Sequence, residues 1–337
     1  LISGRQVLDE RMMTLKDRVL KYLIRNKGSF VSGEKISESL GISRAAVWKH
    51  ISSLRQDGFE IDSASRRGYM LIGDADIINP QIISDSLRTS FIGKKIIYMD
   101  SIGSTNDHIK SIAGGSTDGT VVIANEQTKG KGRMGRYWHS QKGDGIWMSM
   151  LLKPHIAPNK ASIITQIAGA AIVKALDEFG VSAMIKWPND IILNGKKLCG
   201  ILTEMAAEID RINYIVLGMG MNVKSDNFPD EISDIATSLY KEGHAIKRAD
   251  IIRSIFENFE RLYVDYIKND DLKEVVEICR ERSAVIGKDI YVITWSEKKK
   301  ARALDISQNG DLLVEYKDGR KESLVSGEVS IRKADDE

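Results

Sequence analysis

Residues 130–136 read Gly130-Lys131-Gly132-Arg133-Met134-Gly135-Arg136. Glycine tolerates backbone conformations that turn N–H groups inward against a ligand, and successive inward N–H groups form a concave nest for an anion. Lys131, Arg133 and Arg136 add full positive charge, and an arginine fork suits phosphate or carboxylate oxygens. The stretch therefore reads either as an anion cradle, for a phosphate above all, or as a solvated basic surface loop. It is not a Walker A loop, because no Gly-Lys-Ser/Thr follows, and it lacks the spacing of a dinucleotide fingerprint.

Three further segments favour the cradle. Lys186-Trp187-Pro188-Asn189-Asp190 runs into the apolar Ile191-Ile192-Leu193, an Asn194-Gly195 turn and a second apolar run from Leu198 to Met205. Asn-Gly between apolar runs signals a tight hairpin, so Lys186 and Asp190 stand just ahead of, or at the start of, a hairpin strand. Leu217-Gly218-Met219-Gly220-Met221-Asn222-Val223 places glycine at alternate positions of an apolar run, which suits close backbone approach by a flat ligand. Gly103-Ser104-Thr105-Asn106 sets short polar residues between a strand-like run, Lys95 to Met99, and a helix.

Taken together, residues from about 80 to 333 resemble the biotin protein ligases. The motifs that carry the resemblance are GSTN at 103–106, GKGRMGR at 130–136, KWPND at 186–190, KKLCGIL at 196–202 and GMGMN at 218–222. Their order and spacing are more specific than any one alone. With the N-terminal segment described next, the whole chain is similar to the bifunctional biotin ligases and biotin-operon repressors of bacteria.

Residues 12–73 hold 11 Lys and Arg against 6 Asp and Glu, a balance of +5 in a chain whose net charge is +2, so the remainder is negative by 3. Positive charge gathered in one small segment is the footprint of a nucleic-acid partner. Val19, Leu20, Leu23 and Ile24 give one apolar helical face, and Ser32-Gly33-Glu34 opens a short helix carrying Ile36 and Leu40. Gly41 makes the turn, and Ser43 suits the N-cap of the next helix. That helix buries Val47, Ile51 and Leu54 and leaves Arg44, Lys49 and His50 largely on other faces. This is a helix–turn–helix whose second helix is expected in the major groove. Gly58 ends it, and two short strands, Phe59 to Asp62 and Gly68 to Ile72, flank Ser65-Arg66-Arg67 as a wing. The expected DNA contacts are Ser43, Arg44, Lys49, His50, Arg66 and Arg67. A winged helix used only for protein contact remains the alternative.

The expected fold class is α+β and multidomain. It comprises a winged helix–turn–helix over 12–73, a catalytic domain over 84–270 with a largely antiparallel mixed sheet, and a C-terminal domain over 283–333. Residues 74–95 read as a linker and helix, with a break at Asn79-Pro80 and Ile82, Ile83 and Leu87 on one face. Val121 to Ile123, Ile146 to Leu152 and Tyr214 to Leu217 are strand-like, whereas Ala161 to Phe179 and Ala249 to Ile267 have helical periods. Short strands over Asp289 to Ile293, Lys300 to Ile306, Leu312 to Tyr316 and Leu324 to Arg332, joined by Asn309-Gly310 and Asp318-Gly319 turns, read as a five-stranded SH3-like barrel, which the resemblance also implies.

Composition fits a globular protein, with 42% hydrophobic and 28% charged residues. No apolar run approaches a membrane span, so no membrane partner is expected. Cys199 and Cys279 lie far apart without metal or redox spacing, which fits a reducing cytoplasm. The five histidines form no ligand pair on a helix, and no metal ligands are assigned. Leu1 is not a methionine, and Met12 or Met13 is the expected natural start, with residues 1–11 an extension.

The resemblance implies a two-step reaction. Biotin's carboxylate attacks the α-phosphate of ATP to give biotinyl-5′-adenylate and pyrophosphate. A lysine of a biotin carboxyl carrier protein then attacks the acyl carbon and releases AMP. An anion approaching a polyphosphate needs preorganised cations and N–H dipoles, with Mg²⁺ holding the phosphates. By resemblance, Arg133 holds the adenylate, Gly130 lets the backbone lie against biotin, Arg136 is on the phosphate side and Trp138 packs over the intermediate. Lys131 replaces the usual arginine of the loop, so its backbone is expected to matter more than its side chain. Ser104, Thr105 and Gln127 match positions that line the biotin pocket, Gly218 and Gly220 its backbone wall, and Asn222 a polar position on the ATP side. Lys186, Asp190 and Lys197 complete the catalytic set, with Asp190 either a proton acceptor for the incoming lysine or structural support. Lys197 reads equally as a solvated turn residue. The loop-like Ser225 to Leu239 is the natural lid over ATP. The adenylate is then intermediate and corepressor at once, and the adenylate-bound form is expected to be a homodimer on operator DNA. Two alternatives stay open: a ligase whose N-terminal domain no longer regulates transcription, and a lipoate ligase of the same fold group.

Overall fold

The structure is a computed structural model of the chain, and it describes residues 14–74, 76–293, 297–325 and 327–331. Backbone contacts divide the chain after Ser86 into two compact units.

In the first unit, helix α1 (Leu15–Arg25) is capped by Thr14, α2 (Gly33–Leu40) by Ser32 and α3 (Arg44–Gln56) by Ser43, each hydroxyl accepting a first-turn N–H. Gly41 ends α2 at φ 67°, the left-handed conformation that the turn requires. Val19, Leu20 and Leu23 meet Ile36, Val47, Ile51 and Leu54 in one core, as the apolar spacing predicts. Strands β1 (Phe59–Ala64) and β2 (Gly68–Asp74) pair antiparallel and form the wing. Gly68 is required there, since a Cβ would stand 2.1 Å from the Val31 carbonyl oxygen. Helix α4 (Pro80–Asp85), capped by Asn79, packs on α1 and belongs to this unit.

The second unit is built on a seven-stranded sheet of order β3-β4-β5-β9-β8-β7-β6. Its strands are β3 (Ile96–Met99), β4 (Val121–Ala124), β5 (Gly145–Leu152), β6 (Met184–Lys186), β7 (Asp190–Leu193), β8 (Lys196–Ala207) and β9 (Ile212–Asn222). Only β3 and β4 run parallel, so the sheet is largely antiparallel as expected. One face carries α5 (Thr105–Ile112), whose Ile109 packs with Val122, Leu151 and Val216. Alternation along the strands puts Ser149, Gly218, Gly220, Gly200 and Glu204 on that same face. The other face receives the almost wholly buried α6 (Ala161–Asp177), whose Gly169 lies against Ile185 and Ile201. Helix α8 (Arg248–Asn269) packs over α6. A short α7 (Asp230–Ser233) interrupts the segment expected to be a plain loop, and α9 (Lys273–Glu281), unforeseen in the sequence, buries Val275, Val276 and Cys279.

The C-terminal part forms a five-stranded antiparallel sheet of order β13-β12-β11-β10-β14. Its strands are β10 (Asp289–Ile293), β11 (Lys298–Ile306), β12 (Leu312–Tyr316), β13 (Lys321–Leu324) and β14 (Glu328–Ile331). The single strand expected over 324–332 is instead two, β13 and β14, at opposite edges of the sheet; Arg332 lies outside the described residues. Among the described residues no ladder joins β13 to β14, so hydrogen bonding does not close the sheet into the expected barrel. The sheet is fixed to the rest of the unit by Trp187 Nε1 donating to the Gly310 carbonyl at 3.1 Å and by Arg280 donating to the Ile306 carbonyl at 2.9 and 2.6 Å.

Candidate active site and nucleic-acid interface

Glycine makes the floor of the site. Gly200 on β8 pairs across the ladder with Gly220 on β9, and Leu202 pairs with Gly218. A Cβ on Gly220 would lie 2.4 Å from Trp138 Nε1, and one on Gly200 would lie 2.8 Å from Trp138 Cζ3. The Trp138 indole therefore rests on bare backbone. A Cβ on Gly218 would lie 2.3 Å from Asn106 Oδ1, so this glycine makes room for Asn106. Above this floor is a cavity of about 250 Å³.

One end of the cavity is neutral and polar. Ser104 caps α5 and is buried with Thr105 and Asn106. Gln127 Oε1 accepts from Thr105 N at 2.8 Å and from Thr105 Oγ1 at 3.0 Å, while its Nε2 donates to Ser140 Oγ at 3.0 Å. The other end is charged. Arg133 Nη1 donates to Asn189 Oδ1 at 2.9 Å. Burial pushes the Arg133 guanidinium below its usual range, against the pull of Asp190 and Glu328. Lys186 closes β6, and Asp190, its ladder partner, opens β7. Asp190 Oδ1 is 2.7 Å from Lys197 Nζ, yet this buried oxygen has no hydrogen-bond partner among the described residues. The contact is thus an ion pair at an angle poor for hydrogen bonding. Lys197 Nζ also stands 5.2 Å from the centre of the Trp138 ring, within cation–π range. Trp138 Nε1 and His139 Nε2 are buried without a hydrogen-bond partner among the described residues. Both residues line the cavity.

Thirteen of the fourteen expected ligand and catalytic residues line this cavity: Ser104, Thr105, Gln127, Lys131, Arg133, Arg136, Trp138, Lys186, Asp190, Lys197, Gly218, Gly220 and Asn222. Gly130 does not. It is buried in the hairpin of its own loop, where its carbonyl accepts from Trp138 N at 3.0 Å and a Cβ would fall 2.3 Å from the Trp138 carbonyl oxygen. The close approach that demands glycine there is to this chain's backbone. The Lys131 ammonium pairs with Asp107 at 2.7 Å, and that bond holds its pKa above the usual lysine range. Arg136 forks onto Glu328 of β14 at 2.9 and 2.8 Å, which depresses the Glu328 carboxyl. Asn222 donates to the Thr237 carbonyl at 3.0 Å. The segment after β9 bridges Lys197 at Ala236, and Phe228, Ile232, Ile235 and Ala236 line the cavity.

The structure adds residues that the sequence did not single out. Ser149 is fully buried beneath Thr105 and Asn106. Asn189 orients Arg133, and Glu328 and Val329 bring the C-terminal sheet to the cavity rim.

In the N-terminal unit, Arg44, Lys49, Arg66 and Arg67 are exposed, and His50 is half-buried. Ser43 is also exposed, but its hydroxyl accepts from Ala46 N at 3.1 Å as the helix cap. The Arg67 guanidinium covers the Phe30 ring at 4.2 Å.

Comparison with known proteins matches three parts of the chain to family models. Residues 98–222 match the model of the biotin/lipoate A/B protein ligase family, residues 16–70 that of the HTH domain, and residues 285–332 that of the biotin protein ligase C-terminal domain. The chain is 41% identical over 324 residues to the bifunctional ligase/repressor BirA of Bacillus spizizenii, covering 94% of this chain and 99% of that protein. It is 27% identical to the bifunctional ligase/repressor BirA of Escherichia coli, over 91% of this chain and 95% of that one. Among solved structures, the biotin protein ligase of Aquifex aeolicus in complex with biotin and ATP superposes with a TM-score of 0.63 at 27% identity, covering 72% of this chain and all of that one. The protein thus belongs to the family of bifunctional biotin ligase/repressors.

Proposed function

We propose that the chain joins biotin to a lysine of a biotin carboxyl carrier protein through biotinyl-5′-adenylate, and that the adenylate is also the corepressor for operator DNA. The observation that carries this reading is the cavity's two-ended chemistry. A planar polar ring fits the Thr105–Gln127 end, and a polyphosphate fits the end formed by Arg133, Lys186 and Lys197. In the first step a biotin carboxylate oxygen attacks the α-phosphorus and the bond to the β-phosphate breaks. Lys186 and Arg133 offset the charge that builds on the phosphate oxygens. In the second step the carrier amine attacks the acyl carbon, AMP leaves, and Asp190 takes the amine proton. Trp138, on its glycine floor, shields the acyl phosphate from water.

Among the described residues no three metal-ligating side chains gather. Asp190, a carboxylate in the cavity wall, would share Mg²⁺ with phosphate and water oxygens. When bound, it would neutralise phosphate charge.

The homodimer reading rests on β8. Its residues 202–207 pair with β9 only, since β7 ends its ladder at Gly200. An unpaired edge invites a second strand, and residues 128–137 share a surface hollow with Leu202 and Glu204 on it. A loop ordered by the adenylate would therefore stabilise that edge for pairing. A two-fold dimer would present two winged helices, and two weak half-site contacts would combine. No helix among the described residues is long and apolar enough to cross a membrane, and a cytoplasmic location accords with two buried free cysteines.

The test is a pair of assays on one preparation. With biotin, ATP and Mg²⁺, the chain is expected to add the biotinyl mass to a carrier domain and to shift its own promoter DNA. Arg44→Ala is expected to lose the DNA shift and keep ligation. Biotinyl transfer that is absent, or DNA affinity indifferent to biotin and ATP, defeats the corresponding half of the reading.

A further inference from the structure

Helix α3 turns Val47, Ile51 and Leu54 into the core of the first unit. At 3.6 residues per turn, Arg44, Ala45, Trp48 and Lys49 fall on one continuous outer side, and all four are exposed. Trp48 is 62% exposed. The other described tryptophans are covered: Trp147 and Trp187 are buried, and Trp138 is half-buried on its glycine floor. Single exposed apolar residues are ordinary on a protein surface, so it is the place of this ring that carries weight. It lies one turn beyond Arg44 and directly before Lys49, on the helix that a helix–turn–helix lays in the major groove. Residues 12–73 around it hold 11 Lys and Arg against 6 Asp and Glu, a charge that complements a polyanion. An apolar ring between two cations matches a groove walled by phosphates and floored by base edges.

We propose that Trp48 reads thymine, the face of its ring packing on the 5-methyl group of a thymine in each half-site. This rests on the operator-binding reading of the unit and names what its second helix recognises. Of the four bases, only thymine presents a methyl group in the major groove. The indole N–H is a single donor and cannot fork onto O6 and N7 of guanine as an arginine can. Both purines offer an N7 acceptor, so that donor does not choose between them. What sets the indole apart from its cationic neighbours is its apolar face, and the methyl group is the apolar feature that face can meet. The charges of Arg44 and Lys49 draw DNA of any sequence; Trp48 supplies a choice among sequences.

The experiment titrates the full chain, with biotin, ATP and Mg²⁺, against two copies of its own promoter fragment, followed by fluorescence anisotropy. One copy carries thymine. The other carries deoxyuridine at every thymine position, which removes each 5-methyl group and keeps the base pairing. The unaltered chain should bind the deoxyuridine copy about fourfold more weakly for each methyl contacted, the worth of one such group taken from water, and about 15-fold more weakly for a dimer on two half-sites. Trp48→Ala should bind the thymine copy at least about 15-fold more weakly and no longer distinguish the two copies. Trp48→Phe keeps an apolar ring and lacks the N–H, so it should retain the preference for thymine. In both variants biotinyl transfer to the carrier domain, the melting temperature and the slope of affinity against salt should stay at the unaltered values, since an exposed ring supports no core and displaces no counterion.

A Trp48→Ala chain that still prefers the thymine copy overturns the proposal, because the methyl is then read elsewhere. So does normal promoter affinity in that variant, which would make the ring a contact for another protein. A lower melting temperature or a shallower salt slope in Trp48→Ala also overturns it, since the ring would then hold the helix or its cations in place. Loss of the preference in Trp48→Phe would assign the reading to the N–H and overturn it as well. An unaltered chain that binds neither copy sinks the operator reading and this inference together. One that binds both copies equally sinks the inference alone.

Discussion

Glycine does opposite work in two regions of the active site. In the floor, Gly200, Gly218 and Gly220 sit in regular ladders, and what they supply is absence of volume: Trp138 and Asn106 occupy the space of the missing side chains. In the loop, Gly135 adopts φ 75° with nothing within 4 Å of a would-be Cβ, and what it supplies is backbone shape. Met134 beside it takes φ 55° as well, a conformation rare for non-glycine residues. The floor is thus defined by packing and the loop by conformation and charge. Changes in the floor should disturb shape and stability, and changes around the loop should disturb the chemistry.

The largest effects are expected where charge meets the reacting phosphate. Lys186→Ala should lower kcat for adenylation roughly 10²–10³-fold, the loss seen when one transition-state donor is removed, with far less change in biotin affinity. Pyrophosphate release under saturating substrates reads the first quantity, and calorimetry reads the second. Normal release with weakened biotin binding would make Lys186 a binding residue. Arg133→Gly should come next. Losing a charged hydrogen bond at about 1.5–3 kcal/mol loosens the adenylate, which then escapes and acylates bystander lysines. Labelled adenylate retained on a filter at the unaltered level would contradict that role.

The same contrast explains what was legible in the sequence. The helix–turn–helix was readable because its core is local: Val47, Ile51 and Leu54 repeat at helical spacing and Ser43 caps the helix. The β7–β8 hairpin was readable from Asn194-Gly195, where both residues do take positive φ. Loop cations were readable as charge, but their partners were not. Arg136 finds Glu328 192 positions away, and Asn106 finds Glu204 98 positions away; such pairings are set by sheet register. Gly130 was legible as a glycine but not by what crowds it, since sequence does not show that a Cβ there would meet the Trp138 carbonyl. The single strand expected over 324–332 failed because its apolar residues belong to two strands at opposite sheet edges. Helix α9 was missed because it is only 9 residues long and buries a narrow stripe.

A pair of alanine substitutions separates the two uses of glycine. Gly220→Ala places a methyl 2.4 Å from Trp138 Nε1, so the indole must leave the floor. Overpacking of this kind costs about 1–3 kcal/mol, and biotin affinity should fall with it. Gly135→Ala meets no atoms and carries only the left-handed backbone penalty, about 1–2 kcal/mol, with Trp138 undisturbed. Thermal melts and biotin titrations on both variants test this. If Gly135→Ala weakens biotin more than Gly220→Ala, the division between floor and loop is wrong.

The smallest effect expected is at the joint between loop and C-terminal sheet. Arg136 and Glu328 form a two-bond fork, but the Arg136 side chain is 64% exposed, so the pair should contribute only about 0.2–1 kcal/mol. The hydrogen bonds and charge of Arg136, aided by Lys186 and Arg133, hold the Glu328 carboxyl below its usual value against the opposing effect of burial. A carboxyl depressed in the folded state stabilises fully above its unfolded pKa, about 4.3, and that contribution fades as pH falls through the folded value. Glu328→Gln should therefore melt up to about 2–4 °C lower than the unaltered chain at neutral pH, and the gap should close below about pH 4. A gap that persists unchanged at low pH would mean that the loop is held by packing, as the floor is, and the contrast between the two regions would fail at its weakest joint.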